Sequence, residues 1–217
     1  MYIPKPFRVD DWKEITSFVE RNASVHLITV GEKGEIFATL LPCVWDTKAL
    51  SKGNFGTLIT HMSRGNEQWK QIHSGEQALA IVHGPQAYIS PTNYENKPTD
   101  HKVVPTWNYQ AVHLSGILEV SEDIEELRKI VSELTDFHEV SREAPWSATE
   151  TNPEYMEAQL KGIVAVTMRV TKVEAKSKLS QNRSKKDQRT IADELANSAK
   201  LEEREISAQM QKNLNQG

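Results

Sequence analysis

The sequence predicts an antiparallel β-barrel or sandwich with flanking helices. Three observations carry this reading. Apolar runs of five to twelve residues recur with strand-like alternation, separated by tight Gly, Asn and Pro turns. Helical periodicity falls between or after these runs, without regular strand–helix–strand alternation. The run 162–173, Gly-Ile-Val-Ala-Val-Thr-Met-Arg-Val-Thr-Lys-Val, is strongly β-branched and ends in a polar exit.

In chain order, Asp10 or Asp11 caps a helix with Trp12, Ile15, Phe18 and Val19 on one face. Residues 25–30 read as a strand, 31–34 as a turn and 35–45 as a returning strand, together a hairpin. Lys52-Gly53-Asn54 is a second turn, followed by a strand over 55–60. A short helix is predicted over 67–72. Strands are predicted over 78–83 and 86–90, broken at Gly84-Pro85, and a loop over 91–98. Residues 109–120 alternate as a long strand. Ser121 is expected to open a helix bearing Ile124, Leu127, Ile130, Val131 and Leu134, and 141–153 to be irregular. The C-terminal segment is amphipathic, with stripes Ile191, Leu195, Ala199 and Ile206, Met210, Leu214.

With 217 residues, 38% hydrophobic and 26% charged, the chain can bury a sizeable core. The net charge of −4 supplies no global attraction to nucleic acid or anionic membranes. The twelve acidic residues from Glu119 to Glu157 read as a solvated face. The six basic residues from Lys176 to Arg189 suit a phosphate or a partner. The lone Cys43 excludes an intramolecular disulfide and fits a reducing, cytoplasmic setting. The N-terminus lacks the apolar run of a secretory signal, and no stretch approaches a membrane span.

No Gly-rich phosphate loop, zinc spacing or nucleophile elbow is present; His101 and the other six histidines lie in no ligand pattern. Residues 190–205 loosely suggest a helix-turn-helix, but Glu202, Glu203 and Glu205 would face phosphates. DNA is therefore a weakly supported partner. Four polar segments remain: Ala38-Thr39-Leu40-Leu41-Pro42; His61-Met62-Ser63-Arg64-Gly65-Asn66; Val104-Pro105-Thr106-Trp107-Asn108-Tyr109; and Lys178-Leu179-Ser180-Gln181-Asn182-Arg183. Each has a plainer reading as strand, cap or strand exit. Each also offers stacking or hydrogen-bonding groups suited to a planar heterocycle or a phosphate.

These segments, with Met1-Tyr2-Ile3-Pro4, Glu67-Gln68-Trp69, residues 84–91 and Ile206-Ser207-Ala208-Gln209-Met210, resemble in order the PaiB-type family of FMN-binding split-barrel proteins. Ser63, Gly65 and the loop 90–94 depart from the family pattern. The resemblance implies a six-stranded antiparallel split barrel over residues 1–177 and a C-terminal helical extension over 178–217, packed on the barrel or on a partner. It implies a homodimer with FMN between subunits. It also implies negative transcriptional regulation of protease production and sporulation, with no dedicated catalytic residue. In that frame His61, Ser63, Arg64 and Asn66 face the phosphate. Thr39, Leu40, Asn108 and Gln181 read the polar ring edge, Trp107 stacks or walls the ring, and Lys178 and Arg183 approach the edge that becomes negative on reduction. The alternatives are a flavin-dependent oxidoreductase of unknown substrate and a haem-binding split barrel.

Overall fold

The computed structural model describes residues 1–48, 50–51, 53–73, 75–94 and 103–216. They form two compact units. One comprises Thr16–Val82 and His113–Glu174; the other comprises Met1–Ile15, His83–Val112 and Ala175–Gly217. The described residues hold seven strands: β1 Ser24–Val30, β2 Ile36–Pro42, β3 Val44–Asp46, β4 Thr57–Ser63, β5 Gln77–Ile89, β6 Thr106–Ser121 and β7 Ile163–Lys178. The helices are α1 Trp12–Asn22, α2 Ile124–Glu139, α3 Pro153–Leu160, α4 Lys185–Ala196 and α5 Leu201–Gln216. The last three strands run through both units.

The strands join in the order β2-β1-β5-β6-β7-β4-β3. The pairs β1–β2, β1–β5, β3–β4 and β4–β7 are antiparallel. The sheet is open, with β2 and β3 at opposite edges, yet only Cys43 separates these strands in the chain. Consecutive Cα atoms lie about 3.8 Å apart, so the two edges must meet at this corner and the sheet must curl. The corner is pinned by hydrogen bonds from Cys43 N to Ala23 O at 3.0 Å and from Thr60 Oγ1 to Pro42 O at 2.6 Å. The long strand expected over 35–45 is therefore two strands, because the chain turns from one edge to the other at Cys43. The sheet has seven strands where the resemblance implied six.

Two other expectations are corrected. No break occurs at Gly84-Pro85: β5 passes straight through both residues. Proline's fixed φ is compatible with extended backbone wherever its missing N–H is not needed by a neighbour. Asp123, not Ser121, caps α2, its side chain accepting from Glu126 N at 2.9 Å, while Ser121 extends β6 and its hydroxyl accepts from Asp123 N. The irregular stretch before α3 contains a 3-10 turn over Ala148–Glu150 closed by Ser147 and Glu150. Of the loop expected over 91–98, Pro91–Asn93 form a 3-10 turn; residues 95–98, like Lys52 of the second turn and His101, lie outside the described residues.

In the first unit α2 covers the sheet. Leu127, Ile130 and Leu134 pack with Leu160 and Ala165, and Ile59 and Val44 lie against this cluster. In the other unit α4 and α5 bury Ile191, Leu195, Ile206 and Met210 against Ala87, Ile89, Tyr94 and Leu179. Ala199 is exposed beyond the end of α4 and does not continue the Ile191–Leu195 stripe.

Gly116 sits where β6 meets β7. A Cβ added there would lie 2.4 Å from Arg169 O and 2.7 Å from Met168 Cγ. Gly116→Ala is expected to lower unfolding free energy by about 1–3 kcal/mol, by the cost of overpacking a close-packed interior. Urea denaturation of wild type and variant checks it; equal midpoints would show that the strands move apart freely.

Candidate functional site

The polar residues singled out from the sequence divide between the two units: Thr39 to Asn66 fall in the first, Trp107 to Arg183 in the second. Each group has its own geometry.

In the first unit, Asn66 begins the 3-10 turn Glu67–Gln71, and its side chain accepts from Gln68 N at 2.9 Å. Its amide donates to Thr39 Oγ1 at 2.9 Å, and Thr39 donates to Gln68 Oε1 at 2.5 Å. Gln68 is buried, and its amide donates to Leu27 O and Thr29 Oγ1 at 3.0 and 3.1 Å. Thr39 and Asn66 are thereby the outer members of an internal network centred on Gln68. That residue was not singled out from the sequence, although it lies in the same motif. A glutamine between a cap asparagine and a half-apolar tryptophan gives no sequence sign that it will be buried. Leu40, on the opposite face of β2 from Thr39, is 60% exposed.

Arg64 is engaged on several sides. Its guanidinium donates to Lys161 O at 2.8 Å and to Ile163 O at 3.4 Å, pairs with Glu122, and lies 5.9 Å from the centre of the Trp69 ring. The Trp69 indole in turn donates to Arg64 O at 2.9 Å. Arg64 thus ties the end of β4 to the α3–β7 turn, and its charge already faces a carboxylate. Ser63 is exposed, its hydroxyl accepting from Gly65 N at 3.3 Å. His61 lies opposite Ala165 in the β4–β7 register. Its Nδ1 is buried and has no hydrogen-bond partner among the described residues. Burial pushes the imidazole below its ordinary value, so the ring stays neutral at pH 7.

In the second unit, Asn108 is fully buried. Its carbonyl accepts from Ser180 Oγ at 3.1 Å, and its amide approaches Met210 Sδ at 3.5 Å. Ser180 has φ +63°, a left-handed conformation uncommon outside glycine, and the Asn108 bond helps hold it there. Gln181 closes the same turn: its carbonyl accepts from Leu179 N at 2.7 Å and its amide donates to Ser177 O at 2.6 Å. Asn108 and Gln181 therefore shape the exit of β7.

The solvent-accessible chemistry beside them is cationic and aromatic. Lys178 donates to Thr106 Oγ1 and to Trp107 O. Arg183 lies 4.9 Å above the Tyr94 ring. The buried Lys176 donates to Tyr2 O at 3.2 Å and lies 4.9 Å from the centre of the Tyr109 ring. None of these three cations meets a carboxylate among the described residues. Burial, followed by the neighbouring Lys176 and Arg183 charges, lowers the Lys178 ammonium below the ordinary lysine value. Trp107 is half exposed and meets Tyr88 edge to face at 6.2 Å. Tyr88 was not singled out from the sequence, and Lys176 only as one of six basic residues. Only the fold shows that alternate residues of β7, 176 and 178, bring two positive charges to one polar end.

Comparison with known proteins follows the same lines. A family model described as "Putative FMN-binding domain" matches residues 1–172. Protease synthase and sporulation protein PAI 2 of Bacillus subtilis (strain 168) is 35% identical over 197 residues, covering 91% of this chain and 90% of its own. Among solved structures, the FAD and haem binding protein of Mycobacterium smegmatis superposes with a TM-score of 0.55 at 14% identity, over 79% of this chain and 73% of that one. The flavocytochrome Anf3 of Azotobacter vinelandii gives 0.52 at 13%, over 79% and 69%. At these identities the two structures show a shared split-barrel fold.

His61 sets a pH dependence with a defined sign. The folded imidazole binds its proton less readily than the unfolded chain does, so acidification favours unfolding. The stability present above the ordinary histidine range is lost as pH falls toward the lower folded value. Melting temperature is expected to drop from about pH 7 to about pH 5, and to drop less in His61→Gln. Parallel curves for the two proteins across that range would remove His61 as the source.

Proposed function

The chain belongs to the FMN-binding domain family matched over residues 1–172, and on that premise we propose that it binds FMN as a homodimer and acts as a regulatory flavoprotein. The observation that carries the cofactor reading is the set of cations, Lys178 and Arg183 with Lys176 behind them, that face no carboxylate beside a half-exposed indole. Unpaired positive charge at the end of a strand is costly unless an anion completes it. FMN brings a phosphate and a ring edge that gains electron density on reduction. The orphaned Nδ1 of His61 is a second position that an external group would satisfy.

When bound, FMN supplies the redox chemistry, which belongs to the cofactor. The side chains of this protein bind and bias it. Lys178 and Arg183 take the flavin's negative charge, and Lys178 fixes the Trp107 backbone so that the indole walls the ring. His61 and Ser63 contribute donors toward the phosphate. Arg64, already paired with Glu122, contributes mainly by holding the end of β4 in place. Thr39, Asn66, Asn108 and Gln181 act through the networks that shape their strands, with Leu40 adding an exposed apolar surface. In the dimer, each cofactor draws on residues of both chains.

A homodimer is supported by one face of the β1–β2 hairpin. Ile36, Ala38, Leu40 and Pro42 alternate outward along β2, and Val30 and Ile28 stand opposite Ile36 and Ala38. Ile36 is 76% exposed and Val30 56%. An apolar stripe on an edge strand invites covering, and a second copy of the same stripe covers it with matched chemistry.

The regulatory reading draws on the 35% identity to the Bacillus protease synthase and sporulation protein. Its route to transcription is a dimer whose conformation the flavin biases; the acidic C-terminal helix α5 does not supply a phosphate-facing surface. Among the described residues no helix is long and apolar enough to cross a membrane.

The purified protein is expected to show the two visible bands of a flavin, with FMN identified by mass after release. A colourless protein that takes up no added FMN would end the proposal. In titrations Lys178→Ala and Arg183→Ala should each weaken FMN about tenfold, as loss of a charge-assisted contact. Arg64→Ala should weaken it less and lower the melting temperature instead. The opposite ranking would return the main charge to Arg64.

Light scattering should give twice the chain mass for wild type and the single-chain mass for Ile36→Lys. A monomeric wild type would exclude the dimer.

A further inference from the structure

A cavity of about 380 Å³ opens in the first unit, and none of its lining residues is among those assigned to the flavin. Its floor is apolar: Val19 from α1, Val44 and Trp45 from β3, Ile59 from β4 and Phe137 from α2. The floor is rigid. Trp45 is buried and its indole donates to Phe55 O at 2.9 Å. Cys43, at the strand corner, lines the cavity with a thiol that is 1% exposed and makes no hydrogen bond among the described residues. Burial pushes this thiol up to about 12, so it enters as a neutral, soft wall rather than as a thiolate.

The rim differs from the floor. Glu133 and Asp136 project from one face of α2, three residues apart and next to Phe137, and Glu20 and Asp46 stand at the end of α1 and the end of β3. Lys48 is the one cation among the lining residues. Glu133 lies 3.8 Å from Lys129, whereas Glu20 and Asp136 make no ion pair among the described residues. No three His, Cys, Asp or Glu side chains among the described residues are placed to hold a metal ion. A volume of this size with an aromatic floor falls within the range of small-molecule sites.

We propose that this cavity is a binding site for a small organic ammonium ion with an apolar body. The hydrocarbon portion lies on Val19, Ile59, Trp45 and Phe137, and the ammonium is held by Asp136 and Glu20. The aromatic walls add attraction for a cation that a neutral molecule of the same shape lacks. Nothing in this reading depends on FMN.

The test is calorimetric titration of the full chain with phenethylammonium, with 2-phenylethanol as the neutral counterpart and phenylacetate as the anion. The ammonium is expected to bind at least tenfold more tightly than the alcohol, with no binding of the carboxylate. Asp136→Asn and Glu20→Gln should each weaken the ammonium about fivefold, the scale of one partly exposed charge pair, and leave the alcohol unchanged. Far-ultraviolet circular dichroism and FMN titration of both variants should match wild type, separating loss of the site from loss of the fold. Equal affinity for ammonium and alcohol, no heat with any probe, or unchanged ammonium binding in both variants would overturn the proposal.

Discussion

The constraint on which the sheet depends is the single-residue link between β2 and β3. Pro42 ends one edge strand and Val44 begins the other, and the chain must span a seven-strand order in the length of Cys43. A flat sheet of that order would separate the two edges by roughly 28 Å at about 4.7 Å per strand. Strong curling is the only solution, and the right-handed twist of extended chains supplies it. The residues at the corner fit this duty. Pro42, with no N–H to donate, ends its strand opposite Ser24, Cys43 is small enough to be buried, and Thr60 donates its hydroxyl to the Pro42 carbonyl. The cavity under α2 is a by-product of the same corner, since Cys43, Val44 and Trp45 form its wall.

A second theme is the inward use of polar side chains. Thr39, Asn66, Asn108 and Gln181 look like ligand-binding groups when read as motifs, and each is satisfied inside the protein. Their chemistry is spent on holding backbone shape: a 3-10 turn in one unit, a left-handed serine in the other. Lys178, Arg183, Trp107 and His61 keep unmet capacity. Lys178 and Arg183 face no carboxylate among the described residues, Trp107 is half exposed and His61 Nδ1 lacks a hydrogen-bond partner, and these four narrow the longer set considerably.

The fold was legible because strand alternation and helix periodicity reflect burial directly. Residues 25–30 and 162–173 announce themselves by β-branching, and Ile124 to Leu134 by their spacing, whereas the continuation of β7 to Lys178 does not. What escaped the sequence was set by distant neighbours. The division at Cys43 follows from sheet order, which no local pattern encodes. The passage of β5 through Gly84-Pro85 follows from extended backbone overriding two residues that usually stop a strand. Arg64 looked free because Glu122 stands 58 residues away, and Gln68 looked exposed because Leu27 and Thr29 lie about 40 residues upstream. Pairing partners at such separations cannot be read from one sequence, so the sequence could name candidate residues but not which of them the fold already engages.

The β4–β7 pairing, in which Ser63 meets Ile163, carries a consequence for how the chain is made. The β1–β2 hairpin can form as soon as it leaves the ribosome, since its partners are neighbours in the chain. Strand β4 has no such option on its β7 side, because its mate is synthesised about a hundred residues later. At elongation rates of about 5–20 residues per second, that edge waits for seconds with Leu58 and Met62 unburied. Long-range pairing of this kind also makes the final folding step slow relative to a helical chain of the same size. The nascent protein therefore spends its most vulnerable interval with the β7 side of β4 uncovered.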